Sequence, residues 1–263
     1  MKWTANQIKS LKGAKKIAML TAYDALTASL VDAAEIPAVL VGDSLGMTVL
    51  GYETTLPVSM DEMLHHTAAV SRGVKNALII ADMPFMSYQP SIEMGLENAG
   101  RFIKEAHADA VKVEGGMIRI QLIEALVGNG VPVLGHIGLT PQSIKEMGGY
   151  RVQGKTSEQA RQLMDDAMAV EQAGAFALVL ECVPAELGEM ISNALTIPTI
   201  GIGAGAGCDG QVLVITDLLG ISGKSVPKFV KKYANLNPLI TDALSSYKSE
   251  VESGAFPADE QTY

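Results

Sequence analysis

The stretch "AVLVGDS", Ala38 to Ser44, carries the pattern on which the fold prediction rests. Its apolar residues run without a polar interruption, which is typical of a strand buried on both faces in a parallel sheet. A carboxylate, Asp43, and a hydroxyl, Ser44, then follow Gly42 where the strand ends. These polar residues indicate that the end of the strand forms the rim of a site.

Similar short apolar runs recur along the 263 residues, about eight in all, and they begin at Ile17, Ala38, Ala77, Ala110, Val131, Ala177, Pro198 and Gln211. Stretches with apolar residues at helical spacing, such as "MDEMLHHTAAVSRGV", separate several of these runs. Alternating strands and helices predict a parallel sheet with helices outside. Eight strands suffice to close a (β/α)8 barrel. We therefore predict one TIM-barrel catalytic domain over residues 1–263, with an extra N-terminal helix; an open doubly wound sheet is the alternative.

Composition narrows the class of protein. The formal charge of −9 argues against nucleic acid or an anionic membrane as the main partner. No apolar run is long enough to span a bilayer, and "MKWTANQIKSLKGAKK" lacks the apolar core of a signal peptide. The only cysteines are Cys182 and Cys208, without a CxxC motif, which fits a reducing cytoplasm. We expect a cytoplasmic protein that acts on small molecules.

Polar residues end one predicted strand after another. They are Asp43 and Ser44, Asp82, Lys112 and Glu114, His136, and Glu181. In a (β/α)8 barrel the carboxyl ends of all strands open on one face, where active sites are found. We therefore expect these side chains to lie close together although they are far apart in sequence.

Three of these residues, Asp43, Asp82 and Glu114, would repel one another unless a cation lay between them. Oxygen ligands favour a hard ion, so we predict a Mg²⁺ site; the alternative is that each carboxylate caps the following helix. Lys112 lies two positions before Glu114 and thus faces the same way in a strand. It suits a substrate carboxylate beside the metal, although it also balances the charge of the acids.

Glu181 ends an apolar strand, where burial would raise its pKa and make it a general base near neutral pH. The alternative is a carboxylate paired with a lysine. His136 fits a core histidine as well as a substrate ligand. The glycine-rich "GIGAGAG" after the seventh run predicts a tight loop at which the backbone approaches a ligand.

Several motifs together resemble one known family. They include "TAYD", "VGDSLGMTV", "HHTAAVSRG", "ADMPFMSY", "VKVEGG", "GHIGLTPQS", "GGYRVQGK", "LVLECVP" and "IPTIGIGAG", in order from about Thr21 to Phe229. The chain is identified as a member of the ketopantoate hydroxymethyltransferase family on this basis. The resemblance implies transfer of a one-carbon unit from 5,10-methylenetetrahydrofolate to 3-methyl-2-oxobutanoate, with Mg²⁺, in pantothenate biosynthesis.

The resemblance also assigns roles to the residues at the strand ends. It implies metal binding by Asp43 and Asp82, with Glu114 completing the site directly or through water. It implies that the oxoacid is held by Asp43, Ser44, Asp82, Lys112 and His136. Glu181 matches the family's base, and the family implies a homo-oligomer, typically a decamer.

The sequence leaves two other functions and the folate contacts open. A Mg²⁺-dependent lyase of the phosphoenolpyruvate mutase and isocitrate lyase type would share the chelated oxoacid but needs a "KKCGH"-like loop, which is absent. A barrel that binds an oxoacid without catalysis is the second alternative, although a mere binder would not need Glu181. Arg151 and Lys155 could meet the glutamate tail of folate, but a solvated loop is the favoured interpretation.

Overall fold

The computed structural model describes residues 2–222 and 226–263. Eight parallel strands form a closed barrel in sequence order, and the first strand pairs with the last. The strands are β1 Ile17–Thr21, β2 Ala38–Val41, β3 Leu78–Asp82, β4 Ala110–Glu114, β5 Val133–Gly138, β6 Ala177–Glu181, β7 Thr199–Ile202 and β8 Gly210–Leu213. The predicted barrel is confirmed, and the open-sheet alternative is wrong.

The α-helices of the described residues are α1 Ala5–Lys9, α2 Ala25–Ala33, α3 Leu45–Thr48, α4 Met60–Gly73, α5 Ile92–Lys104, α6 Ile120–Gly128, α7 Ile144–Met147, α8 Ser157–Gln172, α9 Ala185–Ala194, α10 Ile215–Leu218 and α11 Leu236–Ser253. Side-chain caps define where several of them begin. Ser59 and Thr156 form capping boxes at the starts of α4 and α8, and Asp24 caps α2. These helices return the chain between strands.

The interior of the barrel is apolar at its amino-terminal end. Alternate residues of each strand point inward, and Ile17, Leu78, Leu134 and Val179 belong to one buried cluster. Ile8 of α1 lies in the same cluster, with no exposed surface. The predicted N-terminal helix therefore closes the bottom of the barrel and leaves the carboxyl ends of the strands for polar groups.

The connection between β7 and β8 departs from the repeating pattern. Residues 203–209 contain no helix, and Gly203 and Gly205 have φ values of 66° and 84°. A Cβ atom at Gly205 would collide with Ala185 of α9, and one at Gly207 would collide with Glu189. Gly205 and Gly207 of "GIGAGAG" thus permit close packing against α9. The approach of this loop to a ligand stays a prediction.

The chain divides into two compact units, Met1–Val214 and Ile215–Tyr263. The first contains the whole barrel, and the second contains α10 and α11. A single catalytic domain over 1–263 stays a prediction, and its residues Met1 and 223–225 lie outside the described ranges. No helix within those ranges has the length and hydropathy required to cross a membrane.

Candidate active site

A buried polar layer lies on top of the apolar layer of the barrel. It continues the inward-facing rows of residues: Asp82 follows Leu78 and Ile80, and Lys112 and Glu114 follow Ala110. His136 and Glu181 extend the rows of β5 and β6 in the same way. In the strand register Asp82 lies opposite Lys112, and Glu114 lies opposite His136. The side chains expected to converge are brought together by this two-residue period.

Lys112 lies at the centre of the layer and is 3% exposed. Its Nζ lies 3.5 Å from Asp82 Oδ2 and 3.3 Å from Glu114 Oε1, and it contacts His136 Nδ1 at 3.0 Å. Burial alone would lower the pKa of Lys112, but attraction to the surrounding carboxylates outweighs it and raises this pKa. Lys112 is therefore a fixed positive charge.

Two of the predicted metal ligands, Asp43 and Asp82, are adjacent and buried. Asp82 Oδ2 accepts a hydrogen bond from the Asp43 backbone N–H at 3.0 Å, whereas Asp82 Oδ1 is buried without a partner. Burial, together with repulsion from Asp82, raises the pKa of Asp43 to about 7. Burial also raises the pKa of Asp82 to about 6, against the opposing attraction of Lys112. A buried, unpartnered carboxylate oxygen beside a second carboxylate fits a hard cation.

The third predicted ligand, Glu114, is engaged by protein groups. Its Oε1 lies beside Lys112, and its Oε2 accepts from the backbone N–H of Gln142 at 3.0 Å. Within the described ranges no group of three His, Cys, Asp or Glu side chains has the spacing of a complete metal site. Asp43 and Asp82 thus fit a cation directly, while Glu114 fits contact through water.

The helix-capping alternative for these carboxylates is wrong. Ser44 precedes α3 without a side-chain cap, Ser91 caps α5, and Arg119 precedes α6. Asp43, Asp82 and Glu114 instead point into the polar layer, where all three are nearly fully buried.

Gln142 is a site residue that the sequence reasoning missed. Its Nε2 donates to Asp43 Oδ2 and to the Met83 carbonyl, both at 2.9 Å, and its Oε1 accepts from the Tyr88 hydroxyl at 2.7 Å. Gln142 lies six residues after His136 in the quoted "GHIGLTPQS" motif, so its position in the loop after β5 was the available signal. Gln142 therefore connects Asp43, at the end of β2, to the segments that follow β3 and β5.

Glu181 and His136 form a second pair in the layer. His136 Nε2 lies 3.1 Å from Glu181 Oε2, in a close polar contact that falls short of hydrogen-bond geometry. Burial, reinforced by the charge of Lys112, lowers the pKa of His136 to about 3, so the ring is neutral. Because Lys112 is the donor to Nδ1, the ring proton is assigned to Nε2, which faces Glu181. Burial raises the pKa of Glu181 to about 7.

Ser44 and Cys182 complete the surroundings of the layer. The Ser44 hydroxyl contacts the Tyr23 hydroxyl at 2.9 Å. Cys182, directly after Glu181, has a φ of 49°, a strained value for a residue with a side chain. Burial raises the pKa of the Cys182 thiol to about 11, so it is protonated at neutral pH.

The fold and this layer define a (β/α)8-barrel enzyme with its active site at the carboxyl ends of the strands. The model of the family "Ketopantoate hydroxymethyltransferase" matches residues 2–259. This chain belongs to that family.

Relatives in three bacteria are named 3-methyl-2-oxobutanoate hydroxymethyltransferase. The protein from Syntrophus aciditrophicus (strain SB) is 56% identical over 263 residues, covering 100% of this chain and 97% of the relative. That from Enterococcus faecalis (strain ATCC 700802 / V583) is 56% identical, with coverages of 100% and 96%. That from Clostridioides difficile (strain 630) is 53% identical, with coverages of 98% and 95%.

Solved structures of other barrels are similar in fold. A phosphoenolpyruvate phosphomutase from Streptomyces platensis subsp. rosaceus has a TM-score of 0.63 at 15% identity, covering 95% of this chain and 88% of that one. A 2,3-dimethylmalate lyase of the PEP mutase/isocitrate lyase superfamily has a TM-score of 0.62 at 14% identity, with coverages of 100% and 89%. At these identities the likeness concerns the fold alone.

Proposed function

We propose that this chain transfers a hydroxymethyl group from 5,10-methylenetetrahydrofolate to 3-methyl-2-oxobutanoate and thereby forms 2-dehydropantoate (ketopantoate). The observation that carries the proposal is that one buried layer contains Glu181, the positive charge of Lys112 and two adjacent aspartates, Asp43 and Asp82. Burial raises the pKa of Glu181 to about 7. The full-length family match supports the choice of substrates.

The layer suits a 2-oxoacid in its charge and its donors. Lys112 supplies the positive charge for the substrate carboxylate, and the Ser44 hydroxyl supplies a hydrogen bond. Asp43 and Asp82 would bind Mg²⁺ directly, and Glu114 would contact it through a water molecule. Mg²⁺, when bound, stabilises negative charge on the keto oxygen of the substrate.

Glu181 is the base that removes the C3 proton of the oxoacid. A carboxylate with a pKa of about 7 is close to the optimum for proton transfer at neutral pH. His136 is neutral and its Nε2–H faces Glu181, so it orients the carboxylate without adding a second positive charge beside it. Lys112 and the Nε2–H of His136 are fixed in position before the substrate binds, so they can stabilise negative charge in the site without rearranging. Water releases the one-carbon unit of the donor as formaldehyde and leaves tetrahydrofolate. The C3 carbanion adds to the carbonyl carbon of the formaldehyde, and the resulting alkoxide takes up a proton to become the hydroxyl of ketopantoate.

The proposal extends to assembly and location. We assign the protein to the cytoplasm and to a homo-oligomer, a decamer by the resemblance. The exposed apolar residues of α11 support self-association, since a row of such side chains on one helix favours burial against another copy. They are Leu239, Ile240, Leu244, Tyr247 and Val251.

The test is direct detection of product. The protein is incubated with 3-methyl-2-oxobutanoate, 5,10-methylenetetrahydrofolate and Mg²⁺, and ketopantoate is measured by mass spectrometry, with Glu181→Gln as the control. Formation of ketopantoate by the wild type alone supports the proposal. Cleavage of a 2-hydroxy acid without ketopantoate would favour a lyase, and oxoacid binding without any turnover would favour a binding protein.

A further inference from the structure

A cavity of about 240 Å³ lies beside the catalytic layer, on the outer side of the barrel wall. It is bounded by the ends of β4 and β5, by the loop before α8, and by one face of α8. None of the groups assigned above to the oxoacid, the metal or the base lines this cavity. It therefore has no role yet in the reaction.

The wall of the cavity formed by α8 is rich in amides and carries one carboxylate. Gln159, Gln162 and Asp166 lie at helical spacing on the same face. Asp166 Oδ1 accepts from the Met117 backbone N–H at 2.7 Å, and Oδ2 takes part in none of the hydrogen bonds among the described residues. Across from α8, Gln153 donates through Nε2 to the Arg151 carbonyl at 3.0 Å, which leaves its side-chain oxygen as an acceptor.

The cavity is adjacent to the catalytic residues through the backbone. Gly115 follows Glu114 directly, and Gly138 pairs with Glu181 in the β5–β6 ladder. A Cβ atom at Gly138 would overlap the Glu181 carbonyl oxygen, so the backbones of these two residues approach closely at the wall of the cavity. The Gln153 backbone N–H also donates to the carbonyl of Cys182 at 2.8 Å. The backbone of Glu181 and Cys182 is therefore in direct contact with residues that line the cavity.

The size and the donors of the cavity select the class of ligand. Pockets for drug-sized ligands hold about 300–1,000 Å³, so this smaller cavity takes one fused ring rather than an entire folate. A pterin ring presents a ring N–H and an exocyclic amino group side by side. A carboxylate accepts such a pair through two parallel hydrogen bonds, as it does from a guanidinium. The amides of glutamines can complement the other donors and acceptors of the ring.

We propose that this cavity binds the pterin ring of the one-carbon donor, with Asp166 accepting from the ring N–H and the amino group. The inference rests on the proposed function for the identity of the donor. It leaves the aromatic linker and the glutamate tail of the folate outside the cavity and directs the one-carbon unit toward Glu181.

The test measures binding of 6-hydroxymethylpterin, a ring without a tail, to the intact protein by fluorescence titration. Two variants change polar groups that line the cavity. Asp166→Asn keeps an acceptor for the Met117 N–H but loses the negative charge, and Gln162→Leu removes a side-chain amide. Asp165→Asn is the matched control, because Asp165 is the preceding residue of α8, is exposed and does not line the cavity. The affinity for 3-methyl-2-oxobutanoate and the KM for methylenetetrahydrofolate are measured on the same samples.

We expect Asp166→Asn to weaken pterin binding by about tenfold or more, as loss of a charged hydrogen-bond pair does. The donor KM should rise in parallel, with oxoacid affinity and the Asp165→Asn control unchanged. Absence of pterin binding to the wild type, or equal affinity in Asp166→Asn, would overturn the assignment. If ketopantoate still forms and the donor KM is unchanged in both variants, the assignment of the pterin ring to this cavity is wrong and the proposed function stands. If no ketopantoate forms but the Asp166-dependent pterin binding is found, the proposed function fails and the cavity stands.

Discussion

Replacing Lys112 with methionine should destabilise the protein strongly, because it leaves buried carboxylates without their counter-charge. Lys112 Nζ lies 3.5 Å from Asp82 Oδ2 and 3.3 Å from Glu114 Oε1. At an effective dielectric constant of about 20, each attraction is about 5 kcal/mol. The cost of burying the lysine offsets much of this sum, and removal of one partner of a buried ion pair typically costs about 3–5 kcal/mol. That range is the expected loss for Lys112→Met.

The loss is measured by urea unfolding at pH 8 in the presence of a chelator. For a domain of 150–250 residues, each kcal/mol lowers Tm by about 2–4 °C, so thermal unfolding should shift by about 6–20 °C. Lys145→Met is the matched control, because Lys145 is exposed on α7 and should change stability by no more than about 0.5 kcal/mol. A Lys112→Met variant within about 1 kcal/mol of the wild type would refute the view that this lysine neutralises the layer.

Three further predictions concern other parts of the barrel. Asp32→Ala should cost about 2–5 kcal/mol, because Asp32 accepts from the backbone N–H groups of Lys75, Asn76 and Ala77, whereas Asp61→Ala on the surface should cost little. These bonds lower the pKa of Asp32 despite its burial, so the stability that Asp32 contributes is present above its ordinary pKa of 3.8 and is lost as the pH falls below that value. If urea unfolding showed a constant difference in the free energy of unfolding between wild type and Asp32→Ala down to pH 3, this prediction would be wrong. Gln142→Leu should weaken divalent-metal binding by about 10–100-fold, because Gln142 donates to Asp43, a proposed ligand. Mn²⁺ titration measures the affinity, with the exposed Gln172→Leu as the control. Equal affinities of wild type and Gln142→Leu would exclude a role of Gln142 in holding Asp43. The turnover rate should rise with pH through about 7, since Glu181 acts when deprotonated, and a rate that falls over this interval would exclude it as the base.

The strands of the barrel could be predicted closely from the sequence because each is a short apolar run with glycine or polar residues at its end. β1, β2, β4 and β6 begin at the predicted residues Ile17, Ala38, Ala110 and Ala177. The same two-residue period placed Lys112 and Glu114 on one face. These features are local, and the topology of a parallel barrel then determines where the strand ends meet.

The parts that escaped prediction depend on contacts between distant residues. The position of Gln142 after β5 indicated the rim of the barrel but not its partners, because its bonds to Asp43 and Met83 form only when the ends of β2, β3 and β5 meet in the closed barrel. The convergence of His136, Lys112 and Glu181 was expected from the barrel topology, but the particular atoms in contact, Nδ1 with Lys112 and Nε2 with Glu181, depend on the side-chain packing of the interior. The packing of Gly205 and Gly207 against α9 is likewise a contact between distant residues that no local pattern reveals, and the approach of this loop to a ligand stays a prediction.

The central claim is that Glu181 removes the C3 proton of a 2-oxoacid held in the buried layer. It is tested most directly by following the C3 proton signal of 3-methyl-2-oxobutanoate by NMR in D₂O with enzyme, Mg²⁺ and tetrahydrofolate. We expect the signal to disappear through exchange with the wild-type enzyme. Both a chelator and Glu181→Gln should abolish this exchange, while the variant still binds the oxoacid. Persistence of the signal with bound substrate, or equal exchange in Glu181→Gln, would contradict the account.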